Sequence, residues 1–214
     1  MTEPSPSEVF ADRRTAFSFD SRTVLKENEV FLVCDVSGDI RALGREGQGL
    51  YFRDTRFLSM YEMTIDEMGI SLLSAAGDQS FMGNLQFAND AGTLRDGSPI
   101  GPRTISVRRN RFIRDGFHER IGFFSFNPFP LELTVRLAFG SDFRDMFDVR
   151  GYARRRRHGV VAAPSTDGAS IWLNYQGLDG VVRRTQISFE SRPTEIEIHP
   201  GEGADVDSQR SGEE

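Results

Sequence analysis

Cysteine is almost missing from this chain: 214 residues carry one, Cys34. A single thiol excludes an internal disulfide and fits a reducing, cytoplasmic compartment. Long apolar runs are missing as well. No stretch approaches the ~18 consecutive apolar residues that a membrane span requires. Met1 to Arg14 is Ser, Pro and charge, without the apolar centre of a signal peptide. Only three histidines are present, His118, His158 and His199, far apart and with only Cys34 to join them, so no zinc site, and no other metal or cofactor, is expected. The glycine-rich loop Leu43–Gly49 lacks a following Lys-Ser or Lys-Thr and a G-x-G-x-x-G pattern, which argues against a phosphate cradle. There is no G-x-S-x-G elbow to hold a serine nucleophile.

Lysine is absent except for Lys26, so arginine supplies 25 of the 26 basic residues in a chain of net charge −6. Residues 103–158 hold 13 arginines against 6 acids. Such a basic zone can mark nucleic-acid binding. Here, however, the arginines alternate with apolar residues or stand beside acids, as on an exposed sheet face of Arg and Glu, and no nucleic-acid partner is expected.

What the chain does have is 18 Phe and 21 Gly, among many Val, Ile and Thr, in short runs with no sustained helical period. Glu29–Val36 reads as a buried strand ended by Ser37-Gly38-Asp39. Phe57–Asp66 and Ile70–Ala75 read as a hairpin about Asp66-Glu67-Met68-Gly69. Thr104–Arg114 and Phe117–Asn127 form the clearest pair, turned by Asp115-Gly116. Further strands are expected at Gln79–Asn89, Ser170–Tyr175, Val181–Glu190 and Thr194–His199. The fold class is therefore all-β, an antiparallel β-sandwich with few or no helices. It is expected over residues 20–200, after a polar lead-in at 1–19 and before an acidic, disordered tail at 201–214. Trp172 and Tyr175, three apart on a strand, point to opposite faces, and Trp172 is expected in the core.

The stretch Leu131–Arg157 changes character midway. Leu131, Leu133, Val135, Leu137 and Phe139 alternate as one buried strand face. Then Asp142-Phe143-Arg144-Asp145-Met146-Phe147-Asp148-Val149-Arg150 interleaves acids, arginines and large apolar groups. Phe143 and Phe147 would anchor this segment across the sandwich beside Asp54-Thr55-Arg56. Arg144 and Arg150 would pair with carboxylates, Asp54 among them. Paired carboxylates could serve a glycosidase and clustered oxygens a hard metal, but arginines next to each aspartate point to ion pairs instead. The expected binding or docking face is thus Asp54, Arg56, Asp142, Arg144, Asp145 and Arg150, with no catalytic residue and no metal ligand.

Three stretches together carry a resemblance: Gly49–Ser59 (GLYFRDTRFLS), Arg109–Arg120 (RNRFIRDGFHER) and Phe139–Tyr152 (FGSDFRDMFDVRGY) with the arginine run after it. They look like the N-terminal domain of bacterial glycogen debranching enzymes (amylo-α-1,6-glucosidase-like proteins), over about residues 25–195. The resemblance implies a β-sandwich of the supersandwich kind preceding an (α/α)6 toroid that carries the glycosidase carboxylates. Nothing after Glu190 resembles such a toroid, so no glycosidase activity is expected of this chain alone. The implied role is an accessory domain that packs on a catalytic (α/α)6 domain in cis or trans. The alternative is a free-standing carbohydrate-binding or assembly module that takes α-glucan. An exposed docking face would also favour a homodimer.

Overall fold

The computed structural model describes residues 22–41, 47–66, 68–151 and 159–199. The lead-in expected at 1–19, the tail expected at 201–214 and the arginines 154–157 lie outside them. Regular structure among the described residues is almost wholly strand. In chain order these are β1 (Thr23–Glu27), β2 (Val30–Cys34), β3 (Gly49–Phe52), β4 (Thr55–Leu58), β5 (Met60–Ile65), β6 (Ile70–Gln79), β7 (Met82–Asn89), β8 (Gly92–Thr93) and β9 (Pro99–Ile100). They continue with β10 (Ile105–Ile113), β11 (Phe117–Ser125), β12 (Val135–Gly140), β13 (Val160–Thr166), β14 (Ser170–Gln176) and β15 (Val182–Ser188). Among the described residues one short helix, α1 (Met146–Val149), interrupts them. Every pairing is antiparallel, in the orders β1-β2-β3-β4, β11-β10-β7-β6, β12-β5, β13-β14-β15 and β8-β9.

Alternation decides which faces are buried. In β5, Tyr61, Met63 and Ile65 point inward, and in β10 every second residue from Ile105 to Ile113 does. Two apolar cores result. One joins Met63 and Ile65 of β5 to Leu85 and Phe87 of β7 and to Ile105 and Val107 of β10. The other gathers Leu25, Leu32, Leu58, Tyr61 and Ile113, with Phe143 and Leu173 closing it from the far side. β5 contributes to both.

The β10–β11 hairpin follows its expected turn, with Asp115 at φ 53 and Gly116 after it. Other expectations need correction. Phe57–Asp66 and Ile70–Ala75 do not pair: β5 pairs with β12, and β6 with β7. Turn residues permit a reversal there, but partner choice follows the two cores that β5 must fill. Residues 131–134 are not strand. Thr134 spends its N–H on Asp66 Oδ1 at 3.0 Å and its carbonyl on the Asp66 N–H at 2.9 Å, and Pro128 and Pro130 offer no ladder donor. Leu131 and Leu133 still pack on the core. Thr194–His199 forms no strand, whereas β1 and β13 are strands that the pattern missed. Trp172 belongs to neither core; the buried face of β14 is Ile171, Leu173 and Tyr175. Glu, Thr and Arg flanking a run hide such an edge strand from a pattern based on apolar content.

Candidate docking face

β3 and β4 make a tight hairpin whose turn is Arg53-Asp54, with Arg53 at φ 54. The segment after β12 lies alongside it. The Arg56 N–H donates to the Arg144 carbonyl at 2.9 Å, and the Met146 N–H donates to the Asp54 carbonyl at 2.8 Å. Thr55 and Asp145 form an isolated antiparallel bridge. Residues 144–146 thus prolong the β1–β4 sheet for about one residue pair before the chain turns into α1.

One bidentate pair locks this crossing. Arg56 Nε donates to Asp142 Oδ1 at 3.0 Å, and its Nη2 donates to Asp142 Oδ2. Its Nη1 donates to the Gln48 carbonyl at 3.1 Å. Burial of Arg56 works against its charge, but the hydrogen bonds and charge of Asp142 outweigh that and hold its pKa above the ordinary value. A parallel two-bond fork of this kind is among the stronger and more directional polar contacts. Gly49 makes room for it: a Cβ there would stand 2.5 Å from Arg56 Cδ.

The aspartates of the triplet have distinct jobs. Asp142 holds Arg56. Asp145 caps α1, accepting from the Phe147 N–H at 2.8 Å. Asp148 lies in the first turn, where negative charge suits the helix N-terminus. Arg144 approaches Asp142 only at 3.8 Å and is exposed. Arg150 has no ion pair among the described residues, and Asp54 contributes its backbone carbonyl, so the expected Arg150–Asp54 pairing is not formed.

The two proposed anchors behave differently. Phe143, at φ 49, is buried, stacked on Tyr175 at 5.3 Å and edge-on to Phe57 at 5.6 Å. Phe147 is 55% exposed and stacks on no ring among the described residues. Within α1 its side chain rises on the outer side, as no residue of that single turn is buried. Phe52, 41% exposed, continues the ring series outward from Phe57 and carries the Arg53 guanidinium 5.2 Å above it. The face therefore shows Phe52, Arg53, Arg144, Phe147 and Arg150 to solvent over a rigid base of Arg56, Asp142 and Phe143.

A second polar constellation escaped the sequence reading. Arg109 and Arg111, expected on an exposed face, are buried. Arg109 donates to Glu119 Oε1 at 2.7 Å, to Asp39 Oδ1 at 2.5 Å and to the Ser37 carbonyl at 2.9 Å. Arg111 donates to the same Glu119 oxygen at 2.7 Å, and its Nη1 lies 3.6 Å from Cys34 Sγ. Both guanidiniums lie over the Tyr61 ring, at 5.4 and 5.9 Å. Gly38, at φ 82, passes so close that a Cβ would meet Arg111 Nη1 at 2.1 Å. Two cations and two carboxylates balance. Burial pushes the Glu119 carboxyl up, but Arg109 and Arg111 outweigh it and hold the group below its ordinary value. Burial likewise raises the Asp39 carboxyl, with Arg109 opposing, and pushes the Cys34 thiol up to about 11. The available sequence signal was the imperfect alternation of Ile105, Val107, Arg109, Arg111 and Ile113, which puts both arginines in register with the apolar face.

Among the described residues no cluster of three or more His, Cys, Asp or Glu is placed to hold a metal ion, and no helix is long and apolar enough to cross a membrane. By class this is an all-β antiparallel sandwich domain that displays a rigidly based aromatic and cationic face. The profile of the N-terminal domain of (some) glycogen debranching enzymes matches residues 25–207, and the chain belongs to that family. No curated protein matches it.

Proposed function

We propose that this domain is a non-catalytic accessory module that packs on a catalytic (α/α)6 glycoside hydrolase domain and helps shape its substrate cleft. The contact is made by the face around Asp54–Arg56 and Asp142–Gly151. The observation that carries the reading is the contrast within that face. Its base is fixed by a half-buried bidentate ion pair and a buried ring, while Phe52 and Phe147 nearby in the chain stand exposed. Rigid exposed aromatics with neighbouring arginines are the composition of interface hot spots. Family membership supports the choice of partner. A cytoplasmic setting agrees with the buried, unpaired Cys34.

The test is association of this chain with the (α/α)6 domain of a glycogen debranching enzyme, measured by calorimetry and by turnover of branched dextrin. Wild type should bind and raise turnover. Phe147→Ala and Arg150→Ala should each weaken association about tenfold or more without changing the fold. Equal association by wild type and both variants would refute the assignment of the face. Failure to associate, with glucan binding or self-association instead, would refute the accessory role.

A further inference from the structure

The four-stranded sheet β11-β10-β7-β6 buries one face against β5 and leaves the other open. A cleft of about 400 Å³ lies on that open face, remote in the sheet order from the docking face. We propose that this cleft binds a small phosphorylated sugar of hexose size.

Three features of the cleft point to such a ligand. The first is charge. Arg103 and Arg108 both line it, both are exposed, and neither guanidinium has an ion pair or hydrogen bond among the described residues. Among the described residues no acidic one lines the cleft. Asp90 borders the adjoining hollow, which shares Arg103, and its Oδ1 already accepts from Ser71 Oγ at 2.6 Å. Arg108 is therefore the less compensated cation. One guanidinium fork takes a carboxylate or a phosphate alike, but two unpaired guanidiniums at one cleft suit a phosphate, which carries nearly two charges, better than a singly charged carboxylate. The second feature is an unpartnered hydroxyl. Ser106 is 8% exposed, and its Oγ has no hydrogen-bond partner. Buried hydroxyls are nearly always paired, because an unmade bond costs the desolvation of the group. The Oγ is closed off from solvent beneath the cleft floor, so a ligand oxygen would pair with it only by displacing the side chains above it. The third feature is apolar. Phe124 and Phe126, both exposed, meet at 4.8 Å between centroids and 65° between planes. The two rings form a corner against which the C–H face of a pyranose can lie, while the Gln86 amide across β7 offers both a donor and an acceptor to its hydroxyls.

Size separates this ligand from a protein partner. The cleft volume falls in the range of small-molecule sites, about 300–1,000 Å³. A stable protein interface would instead cover about 800 Å² on each side.

Calorimetric titration of the full chain with glucose 6-phosphate tests the proposal, with glucose, inorganic phosphate and maltotetraose as separate arms. Arg108→Gln and Phe124→Ala are the informative variants, since both side chains are exposed and their loss leaves the fold intact by circular dichroism. The expected result is saturable binding of glucose 6-phosphate. It should weaken about tenfold or more in Arg108→Gln, as removal of a charged hydrogen-bond donor implies. It should weaken also in Phe124→Ala, with glucose and inorganic phosphate each binding more weakly than the combined molecule. Three results would overturn the proposal: no saturable binding of glucose 6-phosphate, equal binding by inorganic phosphate, or tighter binding of maltotetraose that Arg108→Gln leaves unchanged. The second would reduce the cleft to an anion site, and the third would make it a neutral glucan surface.

Discussion

Arg109 and Arg111 of the β10–β11 hairpin and the arginines of the 142–151 segment look alike in sequence, each pair interleaved with apolar residues and acids. In the fold they occupy opposite environments. Arg109 is 1% exposed, shares the Glu119 carboxylate with Arg111 and also holds Asp39, whereas Arg144 and Arg150 face water. The difference teaches that the ion-pair network of the hairpin is a structural device and the charged rim of the segment is not. Taking charges out of water is costly and is offset only when every partner is present. Exposed pairs are solvated whether or not they meet.

The contrast should break most visibly at Glu119. Glu119→Ala leaves Arg111 buried without a carboxylate and Arg109 with Asp39 alone, and should destabilise by about 4–5 kcal/mol in chemical denaturation. A loss below about 1 kcal/mol would mean that the hairpin network is as solvated as the rim. Phe143→Ala, which empties the ring stack between Tyr175 and Phe57, should cost about 3–4 kcal/mol. Its neighbour one turn on, Phe147→Ala, should cost less than about 1 kcal/mol, and the ratio between the two is the sharper measurement.

Alkaline titration probes the same buried region from the thiol side. Cys34 keeps its proton to about 11 when folded but to only 9.0 otherwise. A folded pKa raised above the unfolded one contributes stability that is complete below the unfolded value and is lost as pH rises through the folded one. Stability should therefore fall by about 2–3 kcal/mol between pH 9 and 11. Cys34→Ala should flatten that limb, leaving the part due to Tyr61, whose hydroxyl is also raised, chiefly by burial. An unchanged limb in the variant would place Cys34 in water when folded. Smallest of all should be Arg150→Ala, within about 0.5 kcal/mol of wild type in stability, its effect being confined to association.

Legibility varied with how local the information was. The β10–β11 hairpin could be read because its turn, Asp115-Gly116, and its alternation lie within one stretch. The hairpin expected between residues 57–66 and 70–75 could not, because β5 finds its partner about seventy residues away in β12. At the docking face, the approach of Asp142 to the 54–56 turn was expected from composition alone. Which of Phe143 and Phe147 turns inward was not, since both follow an aspartate–arginine or aspartate–methionine pattern without a clear period. Trp172 and Tyr175 were assigned to opposite faces of their strand, as they are, but the core lies on the Tyr175 side.

By itself the amino-acid sequence determined the all-β class, the alternation of buried and exposed positions along each strand, and the turns that glycine and aspartate enforce. These are set by sterics and hydrophobicity within a few residues of each other. Only the tertiary structure decided which strands pair, which arginines are desolvated, and which phenylalanines remain outside. Those outcomes depend on what a neighbouring element supplies: the Asp39 carboxylate beside Arg109, the Tyr175 ring against Phe143, and no covering ring for Phe147 among the described residues. A side chain's burial energy is a property of the pair it makes, and the partner lies far away in the chain.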